Sequence, residues 1–380
     1  MRIVHSLLFL IGVCSTSYVE RQCGSDLSNL WLDVVLLVDN SAGMDQRDLN
    51  QIAATISSTF ATVKIGTKPD DPKTTRVGLV TYNSIGTIVA GLDAWNSTED
   101  LMDTVFGTLS SKSTSSVSNL VAGLTTALQV LNQGMRPSRD HYRKIILVYT
   151  SFFDPKFNSI QVAQRIKMDG ISIATTGFPD FDDPFFLRNL AQIASPHFNF
   201  SSTDQNMIGE MQSALLETNC FCPLYWTQYT SSSTSFGVCI RPTSLTMNWR
   251  AAQMNCRNSV NNGYLLNEYT QEKHDFAYQL VQNTTPPFET PYHYHIGLFA
   301  TNGVWNWDQP MGRSLVFSQN YTTWGNGLPT PSSSASAVWN SQKGNGVAWY
   351  NIGFYNSGGG FVCETATCDT DNFCENAKNN

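Results

Sequence analysis

The sequence predicts a doubly wound α/β sheet followed by a separate α+β domain, and three observations carry that reading. Residues Leu32–Val38 form an apolar run broken only by Asp33, the pattern of a strand buried on both faces of a parallel sheet. From there to about residue 218, short apolar runs alternate with stretches of helical period, which right-handed crossovers wind into layers on both sides of one sheet. At Cys220-Phe221-Cys222-Pro223 the composition changes: charge thins out while Trp, Tyr, Asn, Ser and Gly accumulate. That shift marks a domain boundary with almost no linker.

The first strand stops at the turn residues Asp39-Asn40-Ser41-Ala42-Gly43. Helical spacing then predicts a helix over Gln46–Val63, strands over Arg76–Tyr82 and Ile85–Val89, and helices over Thr98–Leu109 and Asn119–Leu131. Lys144–Thr150 is a second near-continuous apolar strand. It leads into a helix over Ser159–Met168, a strand over Ile171–Thr175, and helices over Pro184–Ala194 and Asp204–Thr218. In the second half, helices are predicted over Thr246–Arg257 and Gln271–Val281, the first placing Trp249, Ala252 and Cys256 on one face. The remainder reads as short strands and long loops, with a Pro- and Ser-rich loop over Leu328–Ser336 and a turn at Ser357-Gly358-Gly359-Gly360. The domains are thus expected over residues 24–218 and 220–365, with a tail over 366–380.

A chain of 380 residues, 41% hydrophobic, is long enough for two cores. Met1-Arg2, the apolar run Leu7–Val13 and the small residues Ser15 and Ser17 read as a secretory signal peptide over residues 1–17. Its removal takes Cys14 and Arg2, so nine cysteines become eight and the charge of -7 moves to -8. An even count suits disulfides in an oxidising, extracellular compartment. Glycosylation triplets begin at Asn96, Asn199, Asn283 and Asn320. No later apolar stretch reaches the length of a membrane span, and mild acidity without a basic patch argues against nucleic acid as a partner. The sequence contains no His-Glu-x-x-His, Gly-x-Ser-x-Gly or phosphate-loop motif. His293 and His295 sit beside the apolar Ile296-Gly297-Leu298, where packing is the expected role. An enzyme is not expected.

The string Asp33-Val34-Val35-Leu36-Leu37-Val38-Asp39-Asn40-Ser41, with the elements that follow it, resembles a von Willebrand factor type A domain. The resemblance implies a metal above the carboxyl ends of the strands, held by an Asp-x-Ser-x-Ser loop, a hydroxyl on a second loop and an Asp on a third. Asp39, Ser41 and Ser118 match the first two loops, but Gly43 replaces the second serine and Ser151-Phe152 stands where the family has Asp-Gly. A hard divalent cation needs oxygen ligands with enough negative charge to offset its dehydration, so a Mg or Ca site here is weakened to one carboxylate. The alternative role for Asp39 and Ser41 is to shape the turn and cap the next helix, with Asp45 and Asp48 as first-turn acids.

In the second half, Cys222-Pro223-Leu224-Tyr225-Trp226, Trp249 seven residues before Cys256, Ile296-Gly297-Leu298, Trp305-x-Trp307 and Phe361-Val362-Cys363-Glu364 resemble a C-type lectin-like domain. That resemblance implies the bridges Cys222–Cys239 and Cys256–Cys363. A second family bridge, near Ala337-Val338 and Gly353-Phe354, lacks both cysteines at once. Of the cysteines left, Cys23 and Cys220 bracket the first domain and Cys368 and Cys374 lie close together in the tail, which makes Cys23–Cys220 and Cys368–Cys374 the expected pairs. Counting alone would leave on the order of a hundred connectivities.

Where the family's sugar binders place Glu-Pro-Asn or Gln-Pro-Asp, this chain has Leu328-Pro329-Thr330, and Trp349 is followed by Tyr350 and Asn351 rather than by a carboxylate. No calcium is expected in the lectin-like domain. Sugar faces also stack on aromatic rings, which makes Trp324, Trp339, Tyr350 and Asn351 the ligand-binding candidates. Trp305, Trp307 and Trp349 are expected in the core. The two resemblances together imply a secreted protein that recognises a glycan or microbial surface in innate defence without the family's calcium site. The alternative is a protein-binding matrix or adhesion module with no carbohydrate ligand.

Overall fold

The computed structural model describes residues 19–68, 71–179, 184–232, 234–317, 321–330 and 335–375. The signal peptide of residues 1–17 and the triplet at Asn320 lie outside the described residues. The chain forms two compact units. One comprises residues 22–228, 235–239 and the segment from 366 onward; the other comprises the residues up to Arg21, 229–234 and 240–365. The division therefore runs differently from a single cut at 219/220, since residues 220–228, 235–239 and the tail count with the first unit.

The first unit is built on β1 (Leu32–Asp39), α1 (Gln46–Phe60), β2 (Arg76–Tyr82), β3 (Gly86–Ala90), α2 (Thr98–Thr108), α3 (Leu120–Gln133), β4 (Arg143–Thr150), α4 (Ser159–Met168), β5 (Ile171–Gly177), α5 (Pro184–Ile193), β6 (Asn199–Ser201) and α6 (Met207–Thr218). The sheet runs β3-β2-β1-β4-β5-β6, parallel except for the antiparallel edge strand β3. Because β1 is covered on both faces, its residues alternate between two cores. Val34, Leu36 and Val38 pack with α1, α2 and α6, whereas Val35 and Leu37 pack with α3 and α4. That is why the strand reads as a continuous apolar run rather than an alternating one.

Asp33, the one polar residue in that run, is buried and answered by two arginines. Arg76 meets it with Nε–Oδ1 at 3.0 Å and Nη2–Oδ2 at 2.7 Å, and Arg139 Nε donates at 3.2 Å. Helix α1 starts at Gln46 because Asp45 accepts the Arg47 amide, and the helix ends at Phe60, three residues short of the predicted Val63. Gly123 lets α3 approach the sheet: a Cβ there would lie 2.8 Å from Tyr82 Cγ.

After the first unit's main segment come β7 (Thr227–Ser231) and β8 (Thr234–Met247), each divided between the two units. The second unit carries α7 (Trp249–Ser259), β9 (Tyr264–Leu265), α8 (Gln271–Gln282), β10 (His293–Thr301), β11 (Val304–Trp307), β12 (Val316–Phe317), β13 (Ala337–Lys343), β14 (Gly346–Ile352) and all but the last residue of β15 (Gly359–Ala366). Strand order is β12-β11-β10-β15-β8-β7, with β13 pairing to β10 and β14, and β9 to β15. Helix α7 begins at Trp249 rather than Thr246, because β8 continues to Met247 and the Asn248 side chain caps the helix by accepting the Ala251 amide at 3.0 Å. Trp249, Ala252 and Cys256 are fully buried, as one-face spacing requires.

Four disulfides join Cys23 to Cys220, Cys222 to Cys239, Cys256 to Cys363 and Cys368 to Cys374. Cys256–Cys363 ties α7 to β15 in the second unit. The other three lie in the first unit.

Candidate binding sites

The carboxyl end of β1 places Asp39 beside the ends of its neighbours. Ser118, just before α3, donates its hydroxyl to Asp39 Oδ2 at 2.6 Å, and Thr150, the last residue of β4, donates to the same oxygen at 3.0 Å. The Ser41 amide donates to Oδ1 at 2.9 Å. Both carboxylate oxygens are thus occupied by donors from three loops. Burial raises the pKa of Asp39, and the hydrogen bonds from Ser118, Ser41 and Thr150 pull it back only in part.

Asp39, Ser41 and Ser118 do come together, as the family loop requires, but around a carboxylate that is already solvated by hydroxyls. Ser151, at the family's second acidic position, turns its hydroxyl to Met44 Sδ at 2.9 Å. The Lys112 ammonium is held by the carbonyls of Ala42 and Met44, each at 3.2 Å, so a cation already tethers this loop. Among the described residues no three His, Cys, Asp or Glu side chains gather where they could hold a metal. One engaged carboxylate surrounded by neutral hydroxyls offers Mg or Ca less negative charge than the two acidic loops of the family set would.

In the second unit, Asn351 closes on the loop that carries Leu328-Pro329-Thr330. Its Oδ1 accepts from the Thr330 amide at 3.2 Å and hydroxyl at 3.3 Å, and its Nδ2 donates to the carbonyls of Thr330 at 2.9 Å and Ala335 at 3.1 Å. The side chain therefore serves as a tie between loop and strand, with both amide atoms used inside the protein. Trp324 is half-buried against Trp305 (ring centroids 5.0 Å apart) and the buried Trp349 (5.5 Å). Trp305 is likewise half-buried, whereas Trp307 and Trp349 lie in the core.

Trp339 and Tyr350 are direct cross-strand partners on β13 and β14, and His295 on β10 faces Trp339 from the other side. Cross-strand partners share one face of a sheet, so these rings form a row. Trp339 stacks on His293 at 4.6 Å and 18°, and Lys343 Nζ lies 5.2 Å from the Tyr350 ring. Trp339 and Tyr350 remain half-exposed. His295 is buried, its Nε2 2.8 Å from the Met247 carbonyl, and burial pulls its pKa down to about 4, against the smaller upward effect of that hydrogen bond. The two histidines thus pack on a tryptophan instead of sharing a ligand.

The sequence reading did not single out Glu268. Its Oε2 accepts from Trp349 Nε1 at 2.6 Å and pairs with His274 Nδ1 at 2.8 Å, while Oε1 accepts from Asn340 Nδ2 at 2.8 Å, all in the buried interior behind the hairpin. Nor did it single out Lys273, which is fully buried between Glu20 and Glu364 at 3.0 Å each. Neither Glu268 nor Lys273 belongs to a motif with fixed spacing, so only packing reveals them.

Of the glycosylation triplets, Asn96 and Asn283 are exposed. Asn199 sits half-buried in β6 and accepts from Thr175 Oγ1 at 2.7 Å.

The family model described as von Willebrand factor type A domain matches residues 33–214, and that described as Lectin C-type domain matches residues 245–365. The chain is 24% identical over 369 residues to the C-type lectin domain-containing protein 160 of Caenorhabditis elegans, covering 94% of this chain and 57% of that protein. It therefore spans a little over half the length of that relative. Among solved structures, it is similar to proximal thread matrix protein 1 from the mussel byssus (16% identity, TM-score 0.41, 51% of this chain and 46% of that one). It is also similar to the C-type lectin domain of murine dendritic cell inhibitory receptor 2 in complex with N-glycan (20% identity, TM-score 0.29, 38% of this chain and 98% of that one).

Proposed function

Because the chain pairs a von Willebrand factor type A domain with a C-type lectin domain, we propose that it is an extracellular recognition protein whose lectin unit takes a glycan, such as one on a microbial surface, without calcium. The domain pair and the four disulfides fit an extracellular protein, and among the described residues no helix is long and apolar enough to cross a membrane. Support for the ligand class comes from one observation: Trp339 and Tyr350 lie side by side, half-exposed, on one face of the β13–β14 hairpin. Paired rings of this kind stack against the apolar face of a sugar, and the nearby Lys343 adds a hydrogen-bond donor. Asn351 and Thr330 supply no charge and satisfy each other, which supports a calcium-independent mode. A role in innate defence and secretion through the signal peptide belong to the same proposal, and no catalytic step is assigned.

A glycan array probed with the full chain, with calcium and with EDTA, tests the reading. The expected result is binding that survives EDTA and is lost in Trp339→Ala and Tyr350→Ala. Absence of glycan binding in both conditions would overturn it in favour of a second reading, a protein-binding adhesion module. That second reading is favoured by the hydroxyl-filled Asp39 site, and it requires protein capture that is insensitive to EDTA.

A further inference from the structure

At the start of β4 the first unit has a cleft of about 400 Å³, lined by residues 140–143 and 221–226. Its size lies within the range of small-molecule sites. Arg143 opens β4 and Thr150 closes it. At about 3.3 Å per residue the cleft is therefore roughly 23 Å along the sheet from the Asp39 loops, at the opposite end from the family's metal position.

Arg143 is the unusual member of this cleft. It is half-buried, its guanidinium lies 4.4 Å over the Phe221 ring, and among the described residues that guanidinium makes no hydrogen bond or ion pair. The contrast with its neighbours is direct. Arg76 and Arg139 are both held by Asp33 and backbone carbonyls, and Arg136 by Asp93. A planar group with five donors, stacked on a ring and partly desolvated, is set to receive a carboxylate in the bidentate manner. Burial lowers its pKa, as it does for a cation without a counter-ion.

The lining also includes Leu224, 49% exposed, and Tyr225, 81% exposed with φ of +67°. Left-handed backbone is unfavourable for a tyrosine. The turn is nevertheless held, by the Trp226 amide donating to the Pro223 carbonyl at 3.1 Å and by disulfides at Cys220 and Cys222. Beneath it lies an aromatic cluster in which Trp31 packs on Phe221, Tyr142 and Phe373 with centroids 5.5, 5.1 and 4.9 Å apart. The exposed ring is thus presented by a rigid base, as an anchor for a flat apolar face would be. Asp140 also lines the cleft, and the chain is acidic overall. The single unpaired guanidinium of the cleft suits a ligand of single negative charge rather than a polyanion.

We propose that this cleft is a second binding site, in the von Willebrand factor type A unit, for a saccharide bearing one carboxylate, with Arg143 taking the carboxylate and Tyr225 the ring. It does not depend on the lectin-unit reading, and the two fail separately, since Trp339→Ala leaves this cleft untouched. Titration of the full chain by protein-observed NMR or calorimetry can use three probes: methyl glucuronide, methyl glucoside, which lacks the carboxylate, and acetate, which lacks the ring. Glucuronide is expected to bind about tenfold or more tightly than either of the others, as a charge-assisted bidentate contact implies. Arg143→Gln is expected to remove that advantage at an unchanged melting temperature. Tyr225→Gly, which suits the backbone and deletes the ring, should weaken glucuronide but not acetate. Equal binding of glucoside and glucuronide, equal binding of acetate and glucuronide, or no binding of any probe would overturn the proposal.

Discussion

Trp349 donates its indole N–H to Glu268 across 2.6 Å in the interior of the lectin unit, and the two residues are 81 positions apart in the chain. The same carboxylate meets His274 Nδ1, whose Nε2 lies 3.3 Å from the Val347 carbonyl. Both ring nitrogens face acceptors, so the bonds are best satisfied by the imidazolium. Burial alone would lower the pKa of His274, but the Glu268 charge and these hydrogen bonds outweigh it and the net shift is upward.

Glu268→Ala is therefore expected to cost the lectin unit about 3–5 kcal/mol, because it strands a buried cation and two buried donors. Denaturant unfolding followed by tryptophan fluorescence checks this. Glu268→Gln should cost less and should remove the upward shift at His274, leaving the opposing effect of burial. In the wild type, with a raised folded pKa, the His274 contribution is fully present below the ordinary value of 6.5 and fades as pH rises through the folded value.

His295 supplies the opposite slope. Its pKa falls from 6.5 to about 4 on folding, so the unfolded chain takes up the proton first. Its stabilisation is present above pH 6.5 and is lost as pH drops toward 4, a gap that corresponds to roughly 3 kcal/mol. His295→Gln should be less stable at pH 7 yet flatter between pH 6.5 and 4. A wild-type slope retained by the variant would contradict the assignment.

Asp39 is expected to act as a hydroxyl organiser. Asp39→Ala should destabilise the first unit by about 1–3 kcal/mol, since Ser118 and Thr150 lose a shared buried acceptor. Millimolar magnesium or calcium should leave the wild-type melting temperature unchanged relative to EDTA. A metal-induced rise that Asp39→Asn removes would refute this.

Asn351→Ala should cost only about 1 kcal/mol in global stability, because the bonds it loses are partly exposed. The local effect should be larger. Hydrogen exchange and limited proteolysis are expected to accelerate over the loop after Leu328, with the β13–β14 hairpin unaffected.

Much of the fold was legible because burial leaves a direct trace in sequence. The two-sided burial of β1 and β4 appears as near-continuous apolar runs, and α4 begins at Ser159 and ends at Met168 as its periodicity predicts. Boundaries were lost where a single side chain decides them, as when Asn248 delays the start of α7 to Trp249. The candidate sites were legible in kind but not in use. The family resemblance implied that Asn351 and Thr330 belong to one region, yet only geometry shows that both amide atoms of Asn351 are consumed there. Charges such as Arg143, Lys273 and Glu268 carry no periodic signal, and their roles depend on which partners folding supplies or withholds.

The pairing of Lys273 with Glu20 bridges 253 positions, and Glu364 completes it at the same ammonium. During synthesis at roughly 5–20 residues per second, Glu20 would leave the ribosome roughly 13–50 s before Lys273, and Glu364 later still. The first unit's six-stranded sheet, complete by residue 201, can close in that interval while the opening acid waits. A short leading segment thus becomes the last piece to be locked in place, and its capture reports that the second unit has been made in full.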